Sequence, residues 1–193
     1  LRPLLAPTSV VVVGAGRRAG SVGHEVLRNI LEAGFAGRVF AVNPHASSIL
    51  GVDCVPTIAA LPVTVDLAVI ALPAKLVPEA VQACGERGVR AAVLLGSGFS
   101  EMGPDGAVLQ DRVLAIAREH GIRLVGPNCV GIANTDPDVR LDATFATMPR
   151  RPGRLAVLAQ SGAFGVALLA AAEQVGLGIS QFVSVGNKID VGG

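Results

Sequence analysis

Gly14, Gly16 and Gly20 fall close together, with Arg17 and Arg18 between them. Glycines at this spacing let main-chain N–H groups approach a phosphate, and the two arginines add full positive charges. The pattern Gly14-x-Gly16-x-x-Ala19 fits a loose dinucleotide fingerprint, provided that a strand precedes it and a helix follows. Val10–Val13 reads as that strand. Val22, Val26, Leu27, Ile30 and Leu31 form the apolar stripe of the helix, with Ser21 as its N-cap and Gly34 closing it. The same residues also admit a tight turn with no ligand.

Four more short apolar runs end in loops of small or turn-forming residues. Val39–Val42 leads into Asn43-Pro44-His45, and Leu67–Leu72 into Pro73-Ala74. Ala91–Leu95 leads into Gly96-Ser97-Gly98-Phe99-Ser100-Glu101, and Ile122–Val125 into Gly126-Pro127-Asn128-Cys129. Continuous apolar runs suit strands covered on both faces, as in parallel sheets. Helical patterns over Leu76–Arg87 and Pro104–His120, closed by Gly88 and Gly121, alternate with them. The expected fold is α/β, a doubly wound parallel Rossmann-like sheet. All five loops then share the edge where such sheets bind ligands. Val52–Val55 reads as a short extra strand.

Thr147–Arg154 has the composition of a linker, and Arg150, Arg151 and Arg154 read as its solvated charges. Beyond it the pattern restarts. Leu155–Ala159 is a strand, Gln160-Ser161-Gly162 a turn, Ala163–Val175 a helix and Ile179–Val185 a strand, followed by Gly186-Asn187-Lys188. The expected division is a Rossmann-like domain over 1–146, a linker over 147–153, and the start of a second, flavodoxin-like α/β domain over 154–193. Asp136, Asp138, Arg140 and Asp142 read as an exposed loop. A chain that starts at Leu-Arg-Pro and stops at Gly192-Gly193 is expected to be part of something longer.

Composition narrows the function classes. The 193 residues are 51% hydrophobic and 16% charged, which suits a large buried core. A net charge of +1 and the absence of Trp and Tyr argue against nucleic-acid binding. No apolar run is long enough for a membrane span, and no secretion signal precedes the first strand. Cys54, Cys84 and Cys129 lack C-x-x-C spacing and read as reduced thiols of a cytoplasmic protein. With only three histidines and none paired at i+4, no metal site is expected.

A nicotinamide cofactor calls for Asp or Glu after the second strand, to hold the ribose hydroxyls. That strand ends instead at Asn43-Pro44-His45. Arg17 or His45 could serve a 2′-phosphate, so an NADP-binding Rossmann domain stays open. Coenzyme A also fits. Its phosphates need positive donors, and its pantetheine arm needs a long, mostly apolar groove across several strand ends.

The ordered series Val-Gly-Ala-Gly (13–16), Gly-Ser-Val-Gly (20–23), Asn-Pro (43–44), Leu-Pro-Ala (72–74), Gly-Phe-Ser-Glu (98–101), Gly-Pro-Asn-Cys-x-Gly (126–131), Gln-Ser-Gly (160–162) and Ser-x-Gly-Asn-Lys (184–188) covers almost the whole chain. It resembles the CoA-binding domain of NDP-forming acyl-CoA synthetases, relatives of the succinyl-CoA synthetase alpha subunit. The resemblance implies CoA or acyl-CoA as ligand, with Gly20, Ser21, Val22 and Gly23 at its phosphates. Asn43, Pro44 and His45 match the next loop, where the family commonly has a Lys near position 45. Pro73 and Ala74 flank the pantetheine or adenine path, and Ser97, Gly98, Phe99 and Glu101 form another wall. Asn128 and Cys129 mark where the thiol arrives. Ser161 and Gly162 open a helix that faces a phosphohistidine or acyl phosphate, with Asn187 in the same neighbourhood.

The family reaction is acyl-CoA + NDP + phosphate ⇌ acid + CoA + NTP. ATP, ADP and Mg would enter only through further domains, which are also the implied partners. Self-association stays open, and neither nucleic acid nor membrane is expected as a partner. None of His24, His45 and His120 lies in the family's phosphorylated context, so this stretch is expected to bind CoA without turnover. The same domain also occurs beside GNAT-type lysine acetyltransferase modules. Gly-Arg-Arg (16–18) and Asn43-Pro44-His45 resemble that subgroup, which implies a non-catalytic acyl-CoA sensor as the alternative. Three residues keep two readings each: Cys129 as nucleophile or buried thiol, Glu101 as ligand contact or surface residue, and Asn128 as ligand contact or loop support.

Overall fold

The structure is a computed structural model and describes residues 1–149 and 151–191. A short helix α1 (Arg2–Leu5) leads into β1 (Ser9–Val13), α2 (Val22–Glu32), β2 (Arg38–Val42), β3 (Ser48–Ile49) and β4 (Val52–Val55). Then follow β5 (Leu67–Ile70), α3 (Val77–Glu86), β6 (Ala91–Leu94), α4 (Pro104–Glu119) and β7 (Arg123–Val125). The remainder is β8 (Gly131–Asn134), β9 (Leu141–Thr144), β10 (Pro152–Ala159), α5 (Gly162–Gln174) and β11 (Ile179–Ser184).

The first sheet has the order β3-β4-β2-β1-β5-β6-β7. The five strands from β2 to β7 in that order run parallel. Val42, Val13 and Ile70 stand in register, and Ile70 pairs with Leu94. The five loops therefore leave one edge of the sheet, as expected. The chain passes from β1 first to β2 on one side and later to β5 on the other, so the topological switch point lies between β1 and β5. β4 continues the sheet parallel to β2, and β3 folds back on it.

The apolar runs are buried on both faces, which is why they do not alternate. Val11, Val13, Ala68, Ile70, Ala92 and Leu94 face one core layer, with Val81 of α3 and Val113 of α4. Val10, Val12, Leu67, Val69 and Val93 face the other, against Val26, Leu27 and Ile30 of α2. Gly34 (φ +70°) lies just past α2, where its left-handed conformation ends the helix.

The second sheet has the order β10-β11-β8-β9. β10 and β11 are parallel, and β8 and β9 are antiparallel additions. Strands before and after the stretch read as a linker, β8–β9 and β10–β11, thus share one sheet. The acidic stretch expected as an exposed loop is only partly one. Asp142 belongs to β9 and is buried, accepting the Thr144 hydroxyl at 2.7 Å. Its burial depends on a partner two residues away that a charge pattern does not reveal. Asn29, buried in α2, donates to the Thr144 and Ala146 carbonyls at 2.8 and 3.0 Å and fastens the helix to this sheet. Met148, also read as linker, is buried against α5 and β10. Arg151 and Arg154 are exposed, and Arg150 lies outside the described residues.

Candidate functional site

The glycine-rich loop fits against its neighbours with almost no spare room. A Cβ on Gly14 (φ +89°) would lie 2.5 Å from the Ala71 carbonyl oxygen. A Cβ on Gly23 would lie 2.0 Å from the Gly14 carbonyl oxygen, so the first turn of α2 sits directly on the loop. Gly20 (φ +80°) differs: a Cβ there would meet nothing within 4 Å, so this glycine serves backbone conformation and leaves open space above it. Its N–H donates to Glu25 Oε1 at 2.7 Å, and Glu25 Oε2 pairs with Arg28 at 2.6 Å. Arg17 and Arg18 are exposed on the outer side.

Ser21 occupies the N-cap of α2, yet its side chain does not cap the helix. The hydroxyl turns back and donates to the Arg18 carbonyl at 2.7 Å. It braces the loop, and the expected cap bond is replaced. His24 Nδ1 lies 2.9 Å from the Gly16 carbonyl oxygen and braces the same turn.

The other loops are joined to this one in sequence along the edge. Asn43 Nδ2 donates to the Ala15 carbonyl at 2.6 Å, while Asn43 Oδ1 accepts the His45 N–H at 2.7 Å. Pro44 and His45 are exposed beside it. Gly14 meets Ala71, and a Cβ on Gly96 would lie 2.7 Å from the Leu72 carbonyl oxygen. Pro73 is exposed, and Ala74 lies against Gly98, whose Cβ would be 2.9 Å from the alanine methyl. Asn128 N–H donates to the Gly96 carbonyl at 2.9 Å. The predicted turns thus form one continuous rim.

At the end of this rim lies a cleft of about 390 Å³. Val22, Ser97, Asn128, Cys129 and Gly162, all singled out in the sequence, line it together with Leu95, Gly96, Val130, Phe145 and Ala163. Val130 went unnoticed as the variable position of Gly-Pro-Asn-Cys-x-Gly (126–131), and Phe145 because it follows β9 with no motif around it. Ser161 caps α5 as expected, its hydroxyl accepting the Phe164 N–H at 3.3 Å. The N-terminus of α5 opens at the cleft, so its partial positive charge faces this space.

Several residues sit differently from expectation. The Phe99 ring is fully buried in the core with Val113 and Leu94, so it forms no open wall. Apolar burial of a whole ring outweighs any exposure to a ligand. Glu101 is exposed but engaged. One oxygen accepts the Gly98 and Phe99 N–H groups at 2.6 and 3.1 Å, and the other accepts Asn187 Nδ2 at 2.6 Å. Burial pushes its pKa up, but these bonds outweigh that and hold the carboxyl below its ordinary value. Asn187 therefore sits with Ser100, Glu101 and Gln110, and the Ser161 hydroxyl is bonded elsewhere.

Cys129 is buried and its thiol donates to the Leu94 carbonyl at 3.3 Å. Burial pushes its pKa up to about 12, which removes it as a nucleophile at neutral pH. Asn128 has a left-handed backbone (φ +57°) and an exposed side chain, 3.5 Å from Asn187 Oδ1. His120 is packed against Gly85, where a Cβ would lie 2.2 Å from the imidazole. Among the described residues, no three His, Cys, Asp or Glu side chains group as a metal site. No helix among them is long and apolar enough to cross a membrane.

A parallel doubly wound sheet, a glycine loop at its switch point and a rim leading to a small-walled cleft define a Rossmann-like α/β protein, a class that takes its ligands at this edge of the sheet. The particular family follows from comparison with known proteins. Residues 8–135 match the CoA binding domain family, and residues 152–193 match the succinyl-CoA ligase-like flavodoxin domain. The chain belongs to the CoA-binding domain family of the succinyl-CoA ligase-like synthetases. It is 44% identical over 185 residues to "Acetate--CoA ligase [ADP-forming] I" of Archaeoglobus fulgidus, covering 96% of this chain and 26% of that protein. It is 36% identical to the alpha subunit of "Acetate--CoA ligase [ADP-forming] I" of Pyrococcus furiosus, covering 99% of this chain and 42% of that subunit.

Among solved structures, it is similar to a dinucleotide-forming acetyl-coenzyme A synthetase 1 from Ca. Korarchaeum cryptofilum, in complex with phosphate and ADP. The TM-score is 0.93 at 39% identity, covering 100% of this chain and 40% of the other. The chain thus spans between a quarter and a little over two fifths of these relatives.

Proposed function

We propose that this chain binds coenzyme A or acyl-CoA along the strand-end rim, as the CoA-binding part of an NDP-forming acyl-CoA synthetase of the acetate-CoA type. The observation that carries this reading is the unbroken run of loops from Gly14–Gly23 to the cleft at Cys129. The phosphates lie at the glycine loop and the start of α2, with Arg17, Arg18 and His45 as cationic or polar donors from the open side. The arm passes Pro73-Ala74 and Ser97-Gly98, and the thiol end enters the cleft between Val22, Cys129 and Phe145.

Small residues suit this path, because a pantetheine chain needs close backbone approach more than charged partners. Asn43 argues against a nicotinamide dinucleotide. The position that would hold a ribose with a carboxylate carries an amide already bonded to the Ala15 carbonyl. The thioester and phosphoryl steps are assigned to other parts of the synthetase: His24 bonds the Gly16 carbonyl, His120 is packed against Gly85, His45 is assigned to a CoA phosphate, and Cys129 is held as a thiol.

Titration calorimetry with CoA, acetyl-CoA, NADPH and NADH tests the reading. CoA and acetyl-CoA are expected to bind, and Ser21→Glu, which puts a carboxylate at the phosphate position, is expected to abolish this while costing the free protein only the bond to the Arg18 carbonyl, about 1 kcal/mol. Tighter binding of NADPH than of CoA overturns it.

A further inference from the structure

The chain leaving β11 returns to the first sheet. Asn187, Ile189 and Val191 N–H groups donate to the carbonyls of Pro127, Gly126 and Leu124 at 2.9, 3.1 and 3.1 Å. Residues 187–191 thus run along the outer edge of β7. Asp190 fixes the strip, accepting Arg123 Nε at 2.8 Å and the Leu124 N–H at 2.9 Å. Gly186 (φ +52°) permits the approach, since a Cβ there would lie 2.1 Å from the Pro127 carbonyl oxygen.

From this strip the Asn187 side chain reaches the segment before and within α4. Its Nδ2 donates to Glu101 Oε2 at 2.6 Å, Gln110 Oε1 at 3.0 Å and Ser100 Oγ at 3.2 Å. Glu101 in turn holds the Gly98 and Phe99 N–H groups. Gly96 and Ser97, just before these residues, form a wall of the cleft. Gly98 and Gly103, both at φ +108°, bracket the segment, so its own backbone preference does little to fix its shape. The buried Phe99 ring anchors the middle of the segment, and the charge-assisted bonds to Glu101 fix the Gly98 end next to the cleft wall.

We propose that Asn187 is a positioning residue for CoA. Through Glu101 it holds the loop after β6 in the shape that forms the cleft wall, so that affinity in the first sheet depends on a residue delivered by the second. This rests on the CoA reading above. Asn187→Asp sets two carboxylates against each other and loosens the loop. The double variant N187D/E101Q reverses the direction of the bond. The introduced glutamine keeps its carbonyl on Gly98 and Phe99 and donates its amide to the introduced aspartate.

The test is CoA titration of the intact protein, with thermal melts alongside. N187D is expected to weaken CoA about tenfold or more, the equivalent of one lost charge-assisted bond. The double variant is expected to return to within about threefold of wild type. Should N187D fail to fold, N187A takes its place and is expected to weaken CoA several-fold. Wild-type affinity in N187D or N187A, or no recovery in the double variant, overturns the proposal. A wild-type protein that takes no CoA defeats the CoA reading itself and is told apart by that result.

Discussion

The Asn43 side-chain amide donates to the Ala15 carbonyl at 2.6 Å and so ties the loop after β2 to the glycine-rich loop after β1. The same side chain accepts the His45 N–H at 2.7 Å, which sets His45 at the open side of that loop. One residue thereby fixes the relative position of two groups assigned to phosphate contact. Asn43→Ala is expected to cost about 1–3 kcal/mol, the range for breaking such bonds. CoA affinity is expected to fall in parallel. Denaturant melts and calorimetry read the two effects separately.

Gly23 and Gly20 should respond in opposite ways. Alanine at Gly23 would bring a Cβ to 2.0 Å from the Gly14 carbonyl, a backbone atom that cannot step aside. The loss should exceed about 3 kcal/mol and should show in circular dichroism as a protein that melts far earlier. Alanine at Gly20 meets no atom within 4 Å but must adopt φ +80°. Its cost should stay near 1 kcal/mol, with the main effect on CoA binding, because the methyl group enters the open space above the loop.

The three thiols should label in order of access. Burial raises the pKa of both Cys84 and Cys129 to about 12. Cys54 is only partly buried; burial raises its pKa too, opposed by the charge of Arg17. Iodoacetamide at pH 8 should modify Cys54 alone in the native protein, and all three after denaturation. Mass spectrometry of the digested protein identifies the sites. Rapid native labelling of Cys129 would contradict its burial beneath the cleft.

Asp66 gives the acid limb of stability a specific source. Burial pushes its carboxyl up. The Thr8 hydroxyl and N–H and the Arg90 guanidinium outweigh this and hold it below its ordinary value of 3.8. A depressed folded-state pKa contributes stability that is present above the unfolded value and lost as pH falls through the folded one. Unfolding free energy should therefore drop below about pH 4. Asp66→Asn should lower stability at pH 7 and flatten that drop, as followed by urea melts at stepped pH.

Phe145 is 36% exposed and walls the cleft beside Val22 and Ala163. Phe145→Ala should enlarge the space where an acyl group would sit. Larger acyl-CoA esters should gain affinity relative to free CoA by about threefold to tenfold, in line with added apolar contact for a few methylenes. Calorimetry across an acyl-length series measures it, and an unchanged ratio would place the acyl group elsewhere.

The amino-acid sequence by itself determined the first sheet and its binding edge. β1, β5 and β6 are unbroken apolar runs such as Val10–Val13 and Leu67–Ile70, and each is followed by turn residues. That information is local: burial on both faces erases alternation, and Gly, Pro and Asn mark the ends. Ser161 as a cap was legible for the same reason, since capping spans only three residues.

Only the tertiary structure decided the rest. β8 and β9 bury polar residues with no local signal: Asp142, read as exposed loop, is buried on the Thr144 hydroxyl, and Asn134 donates to the Leu5 carbonyl at 2.7 Å across 129 residues. Phe99 and Phe145 are the same residue type, each just beyond the end of a strand. One is fully buried and the other walls the cleft, because helix packing covers the first and leaves the second at the opening. Asn187 meets Glu101 across 86 positions, a contact created when the chain returns along β7. Patterns within a few residues follow from backbone and burial preferences, whereas contacts across scores of residues exist only once the sheets have closed.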